Sequence, residues 1–120
     1  MGNEMRLVYT AMTKKLAFFK THISRFVLEQ GKVPLNPFML FDYFLLDTVD
    51  RRKFYEANAS MIKRSDEVWV FGPVSDGVAE EISLAKKEGK PVRFFEVTDS
   101  KEIREIDEKN VRYEEDTDKI

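Results

Sequence analysis

Cysteine is absent from this chain of 120 residues, and histidine occurs once. The first absence excludes disulfides, thiolate metal sites and cysteine nucleophiles. The second leaves little basis for a histidine-built metal centre; no metal or organic cofactor is implied by the sequence. An excess of one charge is also lacking, with 20 Lys and Arg against 22 Asp and Glu. No basic stripe marks a nucleic-acid surface. No apolar run approaches the roughly 18 residues that a membrane span needs. The opening MGNEMRLVYTAM has no signal-peptide plan, and Arg6 stands where a myristoylation signal wants Ser or Thr. A cytoplasmic chain is expected, with one compact domain over residues 1–113 and a frayed tail over 114–120.

What is present alternates between strand-like and helix-like stretches. Arg6–Ala11 (RLVYTA) reads as the first strand. Thr13 can cap a helix from about Lys14 to Gln30, in which Leu16, Phe19, Ile23, Phe26 and Val27 recur at helical spacing and Gly31 is the stop. Val33–Leu35 is a second strand closed by Asn36-Pro37. A helix over about Asp50–Arg64 precedes Glu67–Phe71 (EVWVF), whose near-continuous apolar character suits a central parallel strand. Val78–Glu88 reads as a helix ended by Gly89, and Pro91–Phe95 as a fourth strand. A short helix is expected over Lys101–Glu108 and an edge strand over Asn110–Tyr113.

This alternation predicts an α/β fold: a three-layer, Rossmann-like (flavodoxin-like) parallel sheet of four or five strands, order 2-1-3-4(-5), with helices on both faces. Such sheets bind ligands beyond the carboxyl ends of their strands, where the strand order reverses. The loop after strand one (Thr10–Lys15) and the loop after strand three (Gly72–Glu81) should therefore face one crevice. Tyr9, Thr10, Thr13, Lys14 and Lys15 would enter it from strand one, Asn36 and Pro37 from strand two. Ser75, Asp76, Gly77, Glu80 and Glu81 would enter from strand three.

The helix after Gly77 aims its free N–H groups at that crevice and, with Ser75 and a lysine, can hold a phosphate. Neither the GxxxxGK[ST] nor the GxGxxG pattern is present. Glu81, beside inward-facing Ile82 and three residues after Val78, should tilt toward the crevice floor, while Glu80 points more to solvent. A carboxylate so placed can attack an anomeric carbon, as in retaining glycosidases. In the purely structural alternative, acidic residues in a first helical turn simply favour the macrodipole.

The order of motifs resembles the nucleoside 2-deoxyribosyltransferase-like superfamily over roughly residues 6–95. Its elements are Tyr9 in LVYTA, GKVPLNPF at strand two, and Asn58 eight positions before Asp66 in NASMIKRSDEVWVF. The most specific is [DS]-x-G-x-x-x-E, present as Ser75-Asp76-Gly77-Val78-Ala79-Glu80-Glu81. The resemblance implies Glu81 as the nucleophile that attacks C1' of the sugar, Tyr9 as the residue that orients it, and Gly77 as the point of close approach. Ser75, where the transferases of free nucleosides usually carry Asp, is similar to the 5'-monophosphate N-glycosidase branch. Asn58 stands where the family commonly has an Asp that helps the base to leave, and Asn cannot be a general acid. Asp66, Asp76 or a substrate phosphate would then have to substitute. The glycine-containing turn after strand one is replaced by Ala-Met-Thr-Lys-Lys.

Residues 38–46, FMLFDYFLL, carry more apolar side chains than one face of a short helix can bury. An association surface, most simply that of a homodimer or higher homo-oligomer, is expected there. His22 beside the apolar face of the first helix reads as a partly buried structural residue, and Trp69, Phe94 and Phe95 as strand core. Together these features predict hydrolysis or transfer at the N-glycosidic bond of a (deoxy)nucleoside 5'-monophosphate. The alternatives are a nucleotide-binding or sensing module that has lost chemistry, and an oligomeric scaffold without a small ligand.

Overall fold

The computed structural model describes residues 4–114. Five strands form one sheet in the order β2-β1-β3-β4-β5: β1 Leu7–Met12, β2 Val33–Leu35, β3 Glu67–Phe71, β4 Val92–Val97 and β5 Ile103–Ile106. The first four are parallel, with Tyr9 level with Leu35 on one side and Val68 on the other. The expected order holds, as does the reversal between β1 and β3.

Alternation along the strands builds two apolar layers. Val8, Met12, Trp69, Phe71 and Phe95 face Phe19, Ile23 and Val27 on one side. The latter two lie in α1 (Lys20–Glu29), and Phe19 ends a 3-10 turn over Lys14–Phe19. Tyr9, Ala11, Val68, Val70 and Phe94 face the other side. There they meet Ile62 of α4 (Arg51–Arg64) and Val78, Ile82 and Ala85 of α5 (Asp76–Lys87). Each fully buried large apolar side chain contributes about 1.5–3 kcal/mol, so these layers dominate the stability. Thr13 begins the 3-10 turn by accepting the Lys15 N–H, a shorter first-helix geometry than the single helix expected. Gly72 takes φ +75° on leaving β3, and a Cβ there would lie 2.5 Å from Leu16 Cδ1, so any other residue would strain this turn toward Ser75 and push Leu16 aside.

Three expectations are corrected. Lys101–Glu108 is not a helix: β5 runs antiparallel to β4, so the sheet is mixed. Ile103 and Ile106, three apart, mimic helical spacing, but as strand residues they enter opposite apolar layers. The connection over 98–102 is too short for the crossover that a parallel pair needs, and Arg93–Glu105 and Arg104–Glu96 pairs span the two strands. Residues 110–113 supply no sheet strand. Instead Tyr113 makes a single bridge to Val74, in the loop after β3. His22 is exposed, its ring stacked on Phe19 at 4.7 Å, rather than partly buried.

The 38–46 run splits into α2 (Pro37–Leu40) and α3 (Tyr43–Thr48), because Asp42 caps the second with a hydrogen bond from the Leu45 N–H. Tyr43 is 82% and Phe44 71% exposed. No helix among the described residues is long and apolar enough to cross a membrane. Of the expected tail, Glu114 is ordered against Val74, and 115–120 lie outside the described residues.

Candidate active site

A cavity of about 830 Å³ opens at the carboxyl ends of β1 and β3. It is lined by Tyr9, Thr10, Lys14, Lys15, Pro37, Asn58, Ser75, Asp76, Gly77, Glu80 and Glu81. Of the site residues singled out from sequence, all but Asp66 and Asn36 line it. Asn36 is a packing residue. Its side chain accepts the Phe38 N–H and donates to Lys20 O and Ser24 Oγ, which fastens α2 to α1. Asp66 is also elsewhere, accepting the Leu7 N–H at the amino ends of the strands.

The floor is a pair of side chains from two elements. β1 is central, so Tyr9 is buried beneath α5 with its hydroxyl directed along the sheet face. Glu81 lies one residue before buried Ile82, and helical geometry turns its carboxylate back toward the strands. The Tyr9 O–H donates to Glu81 Oε2 at 2.5 Å. Burial pushes the Glu81 carboxyl up, the Tyr9 hydrogen bond pulls it down and Glu80 pushes it up again, with the result at about 7. Burial and the neighbouring Glu81 drive the Tyr9 phenol far above its usual range, so it remains a neutral donor at every physiological pH. A buried carboxyl whose pKa is raised toward neutrality, with a fixed donor on one oxygen, is the kind of group that can serve as a nucleophile or proton carrier.

Ser75 caps α5, its Oγ accepting the Val78 N–H at 3.3 Å. Gly77 has nothing within 4 Å of the position a Cβ would take, so the space above it is open. On the far wall, Asn58 Oδ1 is buried without a hydrogen-bond partner among the described residues.

Several wall residues were not marked by the sequence motifs. Phe38, Phe41, Leu46, Phe54 and Tyr55 make an apolar side, with Phe41 and Phe54 edge to face at 5.3 Å. The apolar run at 38–46 carried the signal for the first three, although it reads as a surface. Arg51 donates to the Tyr55 hydroxyl at 2.9 Å. Glu114 enters from the C-terminal segment, with Lys15 Nζ 3.7 Å from its Oε1. No local pattern announces it.

A family model described as "Domain of unknown function (DUF7768)" matches residues 5–95. No curated protein matches the chain. Among solved structures the fold is similar to "2-desoxiribosyltransferase from Leishmania mexicana", with a TM-score of 0.59 at 18% identity. The match covers 78% of this chain and 65% of that one, so this chain spans less than two-thirds of its length. The likeness is one of fold: the same layered α/β architecture around a mostly parallel sheet.

Proposed function

This chain belongs to the DUF7768 family, and we propose that it breaks or transfers the N-glycosidic bond of a (deoxy)nucleoside 5'-monophosphate. The observation that carries the reading is the Tyr9–Glu81 pair at 2.5 Å on the floor of the cavity. A buried carboxylate oriented on one oxygen has the other free to approach an electrophilic carbon. The named activity of the structural neighbour belongs to the same reaction class, and it enters here as support for the proposal only.

In this reading Glu81 reacts in its ionised form. One carboxylate oxygen attacks C1' of the sugar as the C1'–N bond breaks. The base departs with the bonding electrons and takes a proton from water at the cavity mouth. The glycosyl ester on Glu81 is then opened by water, or by a second base in a transfer, which returns the carboxylate. Tyr9 holds the carboxylate at the correct angle throughout. The phosphate lies at the N-terminus of α5, against backbone N–H groups, the Ser75 hydroxyl, and Lys14 or Lys15. Asp76 and Gly77 border the sugar, Thr10 and Pro37 complete the rim, and the wall of Phe38, Phe41 and Phe54 takes the flat face of the base. Asn58 holds the base edge and cannot protonate it.

The test is release of free base, measured by chromatography, from a panel of ribo- and deoxyribonucleoside monophosphates. Wild type should release base from one of them, and Glu81→Gln should release none. Equal release by both proteins would overturn the mechanism. A second reading is favoured by Asn58, which offers no acid: a nucleotide-sensing module with the pocket kept and the chemistry lost. Thermal stabilisation by a monophosphate without base release would select it. The exposed face of α2 and α3 is proposed to join two copies of the chain.

A further inference from the structure

The Lys15 end of the cavity already holds an anion. Glu114 reaches it from outside the sheet, carried by a segment fixed to the loop after β3. The Val74 N–H donates to Arg112 O, and the Glu114 N–H donates to Val74 O. Its side chain is 10% exposed and 3.7 Å from Lys15 Nζ, and Lys15 itself is 68% exposed. One carboxylate oxygen, Oε2, is buried with no hydrogen-bond partner among the described residues. Glu114 also forms part of the partition between this cavity and a neighbouring one of about 550 Å³, lined by Thr13, Leu16, Pro73, Arg112 and Tyr113.

A buried carboxylate with an unpaired oxygen is costly unless something compensates it. The exposed lysine at 3.7 Å compensates it weakly. A phosphate at the N-terminus of α5 would compete for the same cation and be repelled by the same carboxylate. We propose that Glu114 is the specificity residue at this end of the cavity: an internal anion that Lys15 holds until a substrate phosphate displaces it. The inference rests on the nucleoside 5'-monophosphate reading for its physiological ligand, but its charge logic applies to any phosphate. Glu114 therefore sets a threshold against anions that a neutral 5'-hydroxyl does not meet. Removing the charge while keeping the shape should improve phosphate binding, a gain that a merely structural residue would not give.

The experiment is calorimetric titration of the full chain with inorganic phosphate, a deoxynucleoside and its 5'-monophosphate. All proteins would carry Glu81→Gln to stop turnover, and Glu114→Gln and Lys15→Ala would be added singly and together. Glu114→Gln should tighten phosphate and monophosphate about ten-fold and leave the nucleoside within about two-fold, as removal of one nearby like charge requires. Lys15→Ala should abolish that gain. Phosphate affinity that is unchanged or weaker in a Glu114→Gln protein of unaltered melting midpoint would overturn the proposal. So would absence of phosphate binding in every form. If Glu114→Gln fails to fold, Lys15→Ala alone decides, since unchanged phosphate affinity there removes the contested cation. Tighter phosphate with no nucleoside or monophosphate binding would sink the nucleoside reading and leave this one standing. Monophosphate binding indifferent to Glu114→Gln would do the reverse.

Discussion

Replacing Glu81 by Gln should stabilise the folded protein, by an amount that depends on pH. The carboxyl of Glu81 is raised by burial from its usual 4.5 to about 7. A carboxyl with a higher pKa in the folded state holds its proton more tightly there. Below pH 4.5 it is protonated in both states and has no effect on stability. Between 4.5 and about 7 the unfolded chain releases its proton first, so stability falls as pH rises. Above about 7 both states are ionised and the whole penalty remains. A gap of about 2.5 pH units corresponds to about 3 kcal/mol at 1.36 kcal/mol per unit. Gln keeps the shape and can still accept the Tyr9 O–H, but its amide N–H groups also need partners, which makes about 3 kcal/mol an upper bound. For a domain of this size that is a rise in melting midpoint of roughly 10 °C. Thermal unfolding of wild type and Glu81→Gln would be followed from pH 4 to pH 9. The two midpoints should nearly coincide at the acid end, diverge through the window and run parallel above pH 7.5. A constant offset across the range would mean that Glu81 ionises normally, and the case for a poised carboxylate would fail.

Tyr9→Phe keeps the buried ring and deletes the hydrogen bond that lowers the Glu81 carboxyl. The acid limb of kcat/KM should move to higher pH and its plateau fall about ten- to a hundred-fold. An unmoved limb would disconnect the two residues. Gly77→Ala should leave stability equal or improved by up to ~1 kcal/mol, because the second residue of α5 is helical and its Cβ space is empty. Nucleotide affinity, read by calorimetry, should nevertheless fall about ten-fold as the methyl enters the ligand's space, and intact affinity would place the ligand elsewhere. Phe44→Glu, on the most exposed face of α3, should convert an associating chain to a monomer by sedimentation while the melting midpoint of the monomer is unchanged. A wild-type chain that is monomeric at high concentration would end the homodimer proposal.

Much of the site was legible because its parts obey local rules. EVWVF announces a central strand by its unbroken apolar run, and that strand fixes where its carboxyl end lies. Ser75 and Gly77 announce a helix start, and the step from Glu81 to Ile82 fixes which way the carboxylate turns. Those rules put Tyr9 and Glu81 at one crevice without coordinates. Asn36 escaped them. A polar residue before Pro37 at a strand end looks the same whether its amide faces a pocket or, as here, holds Lys20, Ser24 and Phe38 together. The segment after Val97 escaped for a different reason. Two isoleucines three apart satisfy a helical period, and only the free edge of β4 selects the strand.

The sequence by itself determined the layered α/β fold, the strand order and the end of the sheet at which the carboxylate stands, because periodicity and crossover handedness act over short stretches of chain. Only the tertiary structure decided the charge balance inside the cavity. Tyr9 and Glu81 are 72 residues apart, and the shift of Glu81 to about 7 arises first from burial between α5 and the sheet, which no local pattern encodes. Lys15 and Glu114 meet because the last described residues fold back on Val74. Electrostatic energy depends on distance through space and on exclusion of water, and neither is a property of neighbours along the chain.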